Sequence, residues 1–225
     1  MEIPEVPITG HRQYYLSAPA YELWVQGTLL DELGIPDDRR IRVEIIGGEL
    51  VMSPAPVVGH GFIVSEIDYA VARASFRDPE FRWRAAHGLD LNLERTAEGY
   101  IPDLVVIDRD LFREASKAHA KFLAPNQIVL ALEVTSRWNA GDDREPSPKR
   151  VSSTKWHGYA ANGVSFYLLV DRDPARAEIT LYSEPDREGR RYRAQRSWSF
   201  GEAVTIPAPI DIQIATDEWD AWDED

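Results

Sequence analysis

The sequence predicts an α/β domain, a mixed central sheet flanked by helices, and three observations predict it. Ile128-Val129-Leu130-Ala131-Leu132 is an apolar run without a polar break, the pattern of a strand buried on both faces of a helix-covered sheet. Ile101-Pro102-Asp103-Leu104-Val105-Val106-Ile107 is a second apolar strand, with one acid at its start. Helical periodicity occurs in the same chain: His60, Val64, Ile67, Val71 and Ala74 recur at spacings of four and three, one face of a 3.6-residue period. Helices either side of a mixed sheet are the simplest packing of such elements.

Taken in order, residues 9–34 read as an N-terminal helical segment that Leu33-Gly34 and Pro36 bring to an end. Ile41 to Ile46 alternates as a strand, Gly47-Gly48 is a two-residue hairpin signal, and Glu49 to Met52 returns. The amphipathic helix occupies 57–76. Strands follow at 81–86 and 88–93, then a polar turn at 94–99, the aspartate strand at 101–107 and a short helical turn near 110–117. After the strand that carries Glu133 comes a polar loop, 137–147. A helix is expected from Pro148, capped by Ser147, to Asn162, where Gly163 stops it. Val164 to Val170 is another apolar strand. Extra C-terminal antiparallel strands are expected at 177–182 with 190–197, and at 203–206 with 210–214. The chain thus divides into an N-terminal helical extension (1–40), a main domain (41–214) and an acidic tail (215–225), the last expected to be solvated and frayed. The other reading of the tail is a docking peptide anchored by its two tryptophans.

Composition excludes several classes. A chain of 225 residues without cysteine has no disulfides, thiolate zinc sites or cysteine nucleophiles, and fits a reducing compartment. A chain this long buries roughly 70–75% of its unfolded surface and needs no staples. The N-terminus lacks a basic stretch leading into an apolar core, and no apolar run approaches the roughly 20 residues that span a bilayer. A cytoplasmic protein with no membrane partner is expected. With 25 basic and 38 acidic residues the net charge is −13, which counts against non-specific coating of nucleic acid.

The chemistry-bearing feature is a pair of acids on apolar strands. Glu133 ends the run from Ile128, and Asp103 opens the other. A carboxylate left uncompensated in such a place costs several kcal/mol, so it is neutral, paired or bound to a cation. Carboxylates brought together suggest a metal ion, and all-oxygen ligands favour Mg2+ or Mn2+ over zinc. Plain structural roles stand beside this one: Asp103 capping a turn, Glu133 bridging to Arg137 or Lys155, Glu44 facing solvent, and His60 and Tyr159 packing in the core. The five histidines are too dispersed to suggest a cluster. Among basic segments, Arg190 to Arg196 is the best candidate for a phosphate backbone, and a charge-guarded edge strand explains it equally well.

An ordered set of pieces carries a resemblance. Glu44 precedes the Gly47-Gly48 hairpin, and Met52-Ser53-Pro54-Ala55-Pro56 is followed by His60. Pro102-Asp103 opens one strand and Glu133-Val134-Thr135-Ser136 closes another. Lys155-Trp156-His157-Gly158-Tyr159-Ala160 lies on a helix, and Gly163-Val164 leads into Tyr167-Leu168-Leu169-Val170-Asp171. From about Arg42 to Asp171, and loosely beyond, the chain resembles the bacterial restriction-endonuclease-like family, a branch of the PD-(D/E)xK nuclease superfamily.

The resemblance implies a restriction-endonuclease-like core and an endonuclease that hydrolyses phosphodiester bonds in DNA with Mg2+ or Mn2+. It implies Asp103, Glu133 and Glu44 as the metal-binding acids. The superfamily's lysine lies two residues after the second acid, where this chain has Thr135. Lys155 on the following helix takes that role, with Lys149 its rival, and His60 and Tyr159 are accessory candidates. By analogy a homodimer would cut both strands. The competing expectation is a catalytically silent module that binds nucleic acid or protein on the same fold.

Overall fold

The computed structural model describes residues 15–35, 41–147 and 153–223. The chain forms two compact units, Met1–Asp38 and Arg39–Asp225. In the first, α1 (Ala20–Gln26) and α2 (Leu29–Leu33) stand where one long helix is expected over 9–34; residues 9–14 lie outside the described residues. Gly27 breaks the helix. It takes φ 83°, and Thr28 N–H donates back to Leu23 O at 2.9 Å, a left-handed C-terminal cap that glycine adopts without steric cost.

The second unit begins with the hairpin of β1 (Ile41–Ile46) and β2 (Glu49–Pro54). Gly47 and Gly48 both have positive φ, 61° and 82°, as a tight two-residue hairpin turn requires. Then follow α3 (Val58–Arg77), β3 (Trp83–Ala86), β4 (Leu91–Leu93), β5 (Glu98–Tyr100), β6 (Leu104–Asp108), α4 (Arg109–Lys117) and β7 (Ile128–Val134). The chain continues through α5 (Ala140–Asp143), α6 (Lys155–Asn162), β8 (Phe166–Asp171), β9 (Glu178–Asp186), β10 (Arg191–Ser199), β11 (Val204–Ile206) and β12 (Ile212–Ile214).

The sheet is mixed, as expected. Six strands run in the order β10-β9-β8-β7-β6-β3. β7 and β8 are parallel and the remaining neighbours antiparallel. A second sheet has the order β2-β1-β5-β4, and β11 pairs with β12. Alternation along the central strands sends side chains to two apolar layers. Leu132 and Val134 of β7, with Leu168 and Val170 of β8, pack in one layer with Ile63 and Ile67 of α3. Ala131, Tyr167 and Leu169 face the other, with Tyr159 and Ala160 of α6 and Leu91 and Tyr100 from the smaller sheet. Glu133 follows in step with Ala131, so it points into the α6 layer.

Three local expectations change. The strands expected at 81–86 and 88–93 are shorter, Trp83–Ala86 and Leu91–Leu93, and enter different sheets: β3 is an edge of the six-stranded sheet and β4 an edge of the smaller one. The polar turn at 94–99 contains a 3-10 turn and β5, because Glu98 is buried with its Oε1 accepting from Gly47 N–H at 2.5 Å. The tail is not frayed through Trp222. Trp219 is buried with its ring edge-on to Phe200, and Trp222 N–H donates to Arg172 O at 3.0 Å. Trp219 is therefore an anchor of this chain's own core. No helix among the described residues is long and apolar enough to cross a membrane.

Candidate active site

Four stretches far apart in sequence deliver charged side chains to one cavity of about 110 Å³. β1 brings Glu44, the residue ahead of β6 is Asp103, β7 brings Glu133 and the first residue of α6 is Lys155; all four are buried. Strand pairing fixes the spacing. Leu104 pairs with Leu132, and Asp103 N–H donates to Leu132 O at 3.1 Å, so Asp103 and Glu133 sit at adjoining positions of neighbouring strands. α6 faces them because Thr154 caps its start, with Thr154 N–H donating to His157 Nδ1 at 3.2 Å. Lys155 and Tyr159 then share one face, one turn apart.

The geometry centres on the Lys155 ammonium. Its Nζ lies 2.9 Å from Glu44 Oε1, 3.0 Å from Glu133 Oε1 and 3.6 Å from Asp143 Oδ1. Tyr159 OH donates to Glu133 Oε1 at 2.5 Å, and Ile101 N–H donates to Glu44 Oε1 at 2.7 Å. Asp103 is held separately. Arg42 donates to its Oδ1 at 2.8 Å, and Val134 N–H donates to its Oδ2 at 2.9 Å. His60 Nε2 stands 3.0 Å from Asp103 Oδ1, and neither of its buried ring nitrogens makes a hydrogen bond among the described residues.

Electrostatics follow from this crowding. Burial alone would weaken the Lys155 ammonium, but Glu133, Glu44 and Asp143 around it raise its pKa well above the ordinary lysine value. Burial pushes Glu133 well up, with Lys155 opposing and the neighbouring acids adding to the rise. Asp143 is pushed up to about 8, again by burial first. Asp103 goes the other way: burial would raise it, but His60, Lys155 and the Val134 N–H hold it at about 2. One ammonium faces three carboxyl groups, so burial and mutual repulsion raise Glu133 and Asp143 although Lys155 opposes the rise.

Every residue expected in the site, except one, is brought together here: Glu44, Asp103, Glu133 and Lys155, with His60 and Tyr159 against the acids. Lys149 lies outside the described residues. Glu44 does not face solvent, and the bridge weighed for Glu133 is made with Lys155. Thr135, in the place of the superfamily's lysine, is tied up structurally: its Oγ1 donates to Asp171 Oδ1 at 3.1 Å and accepts from Arg172 N–H at 2.9 Å. The helix expected from Pro148 with Ser147 as its cap begins instead at Lys155, capped by Thr154, with Ser153 and Thr154 outside it; residues 148–152 lie outside the described residues.

Two members were missed. Arg42 shares the Glu44 face of β1, a period-two signal present in the strand. Asp143 sits in the loop after Glu133, where Asp142-Asp143 has no periodicity to mark it. The short helix α5 buries it, and Tyr167 OH donates to its backbone O at 2.7 Å. Its Oδ1 is buried and without a hydrogen-bond partner among the described residues.

The donor set suits a hard divalent cation. It offers only carboxylate oxygens, one of them orphaned, and carries an excess of acid over ammonium. As arranged, no group of three or more His, Asp or Glu side chains among the described residues is placed to hold a metal ion, because Lys155 stands between Glu44, Glu133 and Asp143. At the mouth of the cavity Trp138 is 82% exposed, an indole face of the sort on which nucleobases stack.

The profile of the family Uma2, described as "Putative restriction endonuclease", matches residues 19–217. Among solved structures, a "putative nuclease belonging to DUF820" from Anabaena variabilis superposes with a TM-score of 0.55 at 18% identity, over 80% of this chain and 89% of that one. At that identity the likeness is one of fold. No curated protein matches.

Proposed function

Because the chain belongs to the family Uma2, described as "Putative restriction endonuclease", we propose that it is a metal-dependent endonuclease hydrolysing phosphodiester bonds in DNA, acting in the cytoplasm. The observation that carries this reading is the convergence of Glu44, Asp103, Glu133 and Lys155 on one cavity. Asp103, Glu133 and Glu44 would hold Mg2+ or Mn2+. A bound ion would polarise the phosphate and lower the pKa of water.

The chain's own residues do the rest. Lys155, kept protonated by its acids, is a donor toward phosphate oxygens rather than a base. Two of its three N–H donors serve Glu44 and Glu133, which leaves the third for a phosphate oxygen. Tyr159 orients Glu133, and Arg42 and the Val134 N–H fix Asp103, so the acids are positioned by groups that need not move. Asp143, whose pKa burial raises to about 8, serves near neutrality as a proton donor rather than an acceptor. A double-strand cut would take two copies of the chain.

The silent-module reading is favoured by the net charge of −13, by Thr135 in the place of the superfamily's lysine, and by the ion pairs that Lys155 makes with Glu44 and Glu133. Calorimetric titration with Mn2+ separates the two. The enzyme reading expects saturable binding that Asp103→Asn weakens at least ~10-fold, as loss of a ligating carboxylate does. No binding by either protein, with folding intact by circular dichroism, would favour the silent module.

A further inference from the structure

A second cavity, of about 660 Å³, opens between β3, the loop before β4, and α4. Arg109, Phe112, Arg113 and Ser116 line it at spacings of three and four, one face of α4, which Ala115 ties into the core. Arg84 of β3 faces them, and Lys121 follows α4. No hydrogen bond or ion pair to another described residue is made by the side chains of Arg84, Arg109 or Lys121, whereas Arg113 donates to Asp110 at 2.9 Å. Asp90 is the lone carboxylate in the lining. Such a concentration of cations is unexpected on a chain of net charge −13.

The basic segment that the sequence favours behaves differently. Arg191 and Arg193 of β10 both turn to Asp186, at 3.5 and 3.0 Å, and Arg196 lies over the Trp198 ring. Its charge is largely spent within the molecule. That of the α4 cavity is not, and unpaired cations gathered in a concavity concentrate a field for an anion. Phe112, half-buried beside Arg109, adds an aromatic surface.

The cavity also has a place relative to the acids. Ile45 of β1 pairs with Gly99 of β5, and Gly99 with Asn92 of β4. Asp90 therefore lies two strands from Glu44, ~10 Å at the usual strand spacing. The cations stand farther off, since Asp103 precedes β6 and Arg109 follows it, ~20 Å at the usual rise per residue; phosphates of one strand of duplex repeat about every 3.4 Å along the axis, so the span is about six nucleotides.

We infer that this cavity, through Arg84, Arg109 and Lys121, binds backbone phosphates of the polynucleotide strand whose scissile bond enters the acid site. The inference rests on the nuclease reading for the identity of the polyanion, but its test needs no hydrolysis. Fluorescence anisotropy of a labelled DNA oligonucleotide in EDTA reports binding without cleavage. The variant Arg84→Gln/Lys121→Gln should raise Kd ~10-fold or more and flatten the dependence of log K on log salt by about 2, one for each lost phosphate contact. Arg191→Gln/Arg193→Gln, checked alongside for folding, should change neither. Unchanged Kd and slope in the first variant, equal losses in both, or no binding by the wild type would each overturn the inference. Displacement of the oligonucleotide by inorganic phosphate or a nucleoside monophosphate at comparable concentration would also overturn it, by making the occupant a small free anion. Intact binding without cleavage under any metal would instead refute the hydrolytic reading and leave the cavity's role standing.

Discussion

Asp143 sets the clearest residue-scale expectation. Burial, with Asp103 and Glu44 adding to it against Lys155, holds its carboxyl protonated up to about pH 8 in the folded protein, against an ordinary value of 3.8. A group with a raised folded pKa gives stability that is complete below the unfolded value and lost as pH rises through the folded one. Stability from this group is therefore full near pH 4 and declines toward pH 8. Asp143→Asn keeps the shape and cannot ionise. In urea denaturation it should be more stable than the wild type by at least ~1 kcal/mol at about pH 9, with the difference closing at about pH 5. Equal pH dependence in both proteins would show that Asp143 titrates normally. At this scale the sequence is only partly legible. Glu133 and Asp103 stand out because an acid in an apolar strand is conspicuous. Asp143 does not, since a second acid in a polar loop looks solvated until a four-residue helix buries it.

The contact of α6 with the smaller sheet depends on Gly158. A Cβ there would stand 2.0 Å from Tyr100 OH, and Tyr100 is fully buried, edge-on to Tyr159 at 5.2 Å. Gly158→Ala favours the helix intrinsically by about 1 kcal/mol, but must displace α6 or Tyr100, at an overpacking cost of about 1–3 kcal/mol. The net expectation is a lower midpoint in thermal unfolding, together with weaker metal binding, because Lys155 and Tyr159 ride on the same helix. Gly158→Ala with unaltered stability would mean that the helix and sheet are less tightly apposed. Elements themselves were largely legible: the β1-β2 hairpin, α3, β7 and the closing strands lie close to where periodicity and turn residues put them. Pairing was not. β3 and β4 are sequential, yet they enter different sheets, a choice that tertiary packing makes and local pattern does not encode.

Across the whole molecule, acidity is distributed against function. The net charge of −13 argues against general affinity for nucleic acid, yet positive charge is gathered at the α4 cavity and excess acid at the Lys155 site. Net charge read from composition cannot show such segregation, because it arises when α4 packs against β6 and brings its cations beside Arg84 of β3. The two aromatic surfaces, Trp138 at the acid site and Phe112 at the cationic one, are equally invisible as a pair in the sequence. Hydrolysis of DNA is proposed for the buried acids around Lys155. Its most direct test is conversion of supercoiled plasmid in Mn2+ by the wild type beside Glu133→Ala, both shown to be folded by circular dichroism. Nicking or linearisation by the wild type that falls at least ~100-fold in the variant, as loss of a catalytic metal ligand implies, is the predicted result. Equal cleavage by the two proteins would contradict the claim.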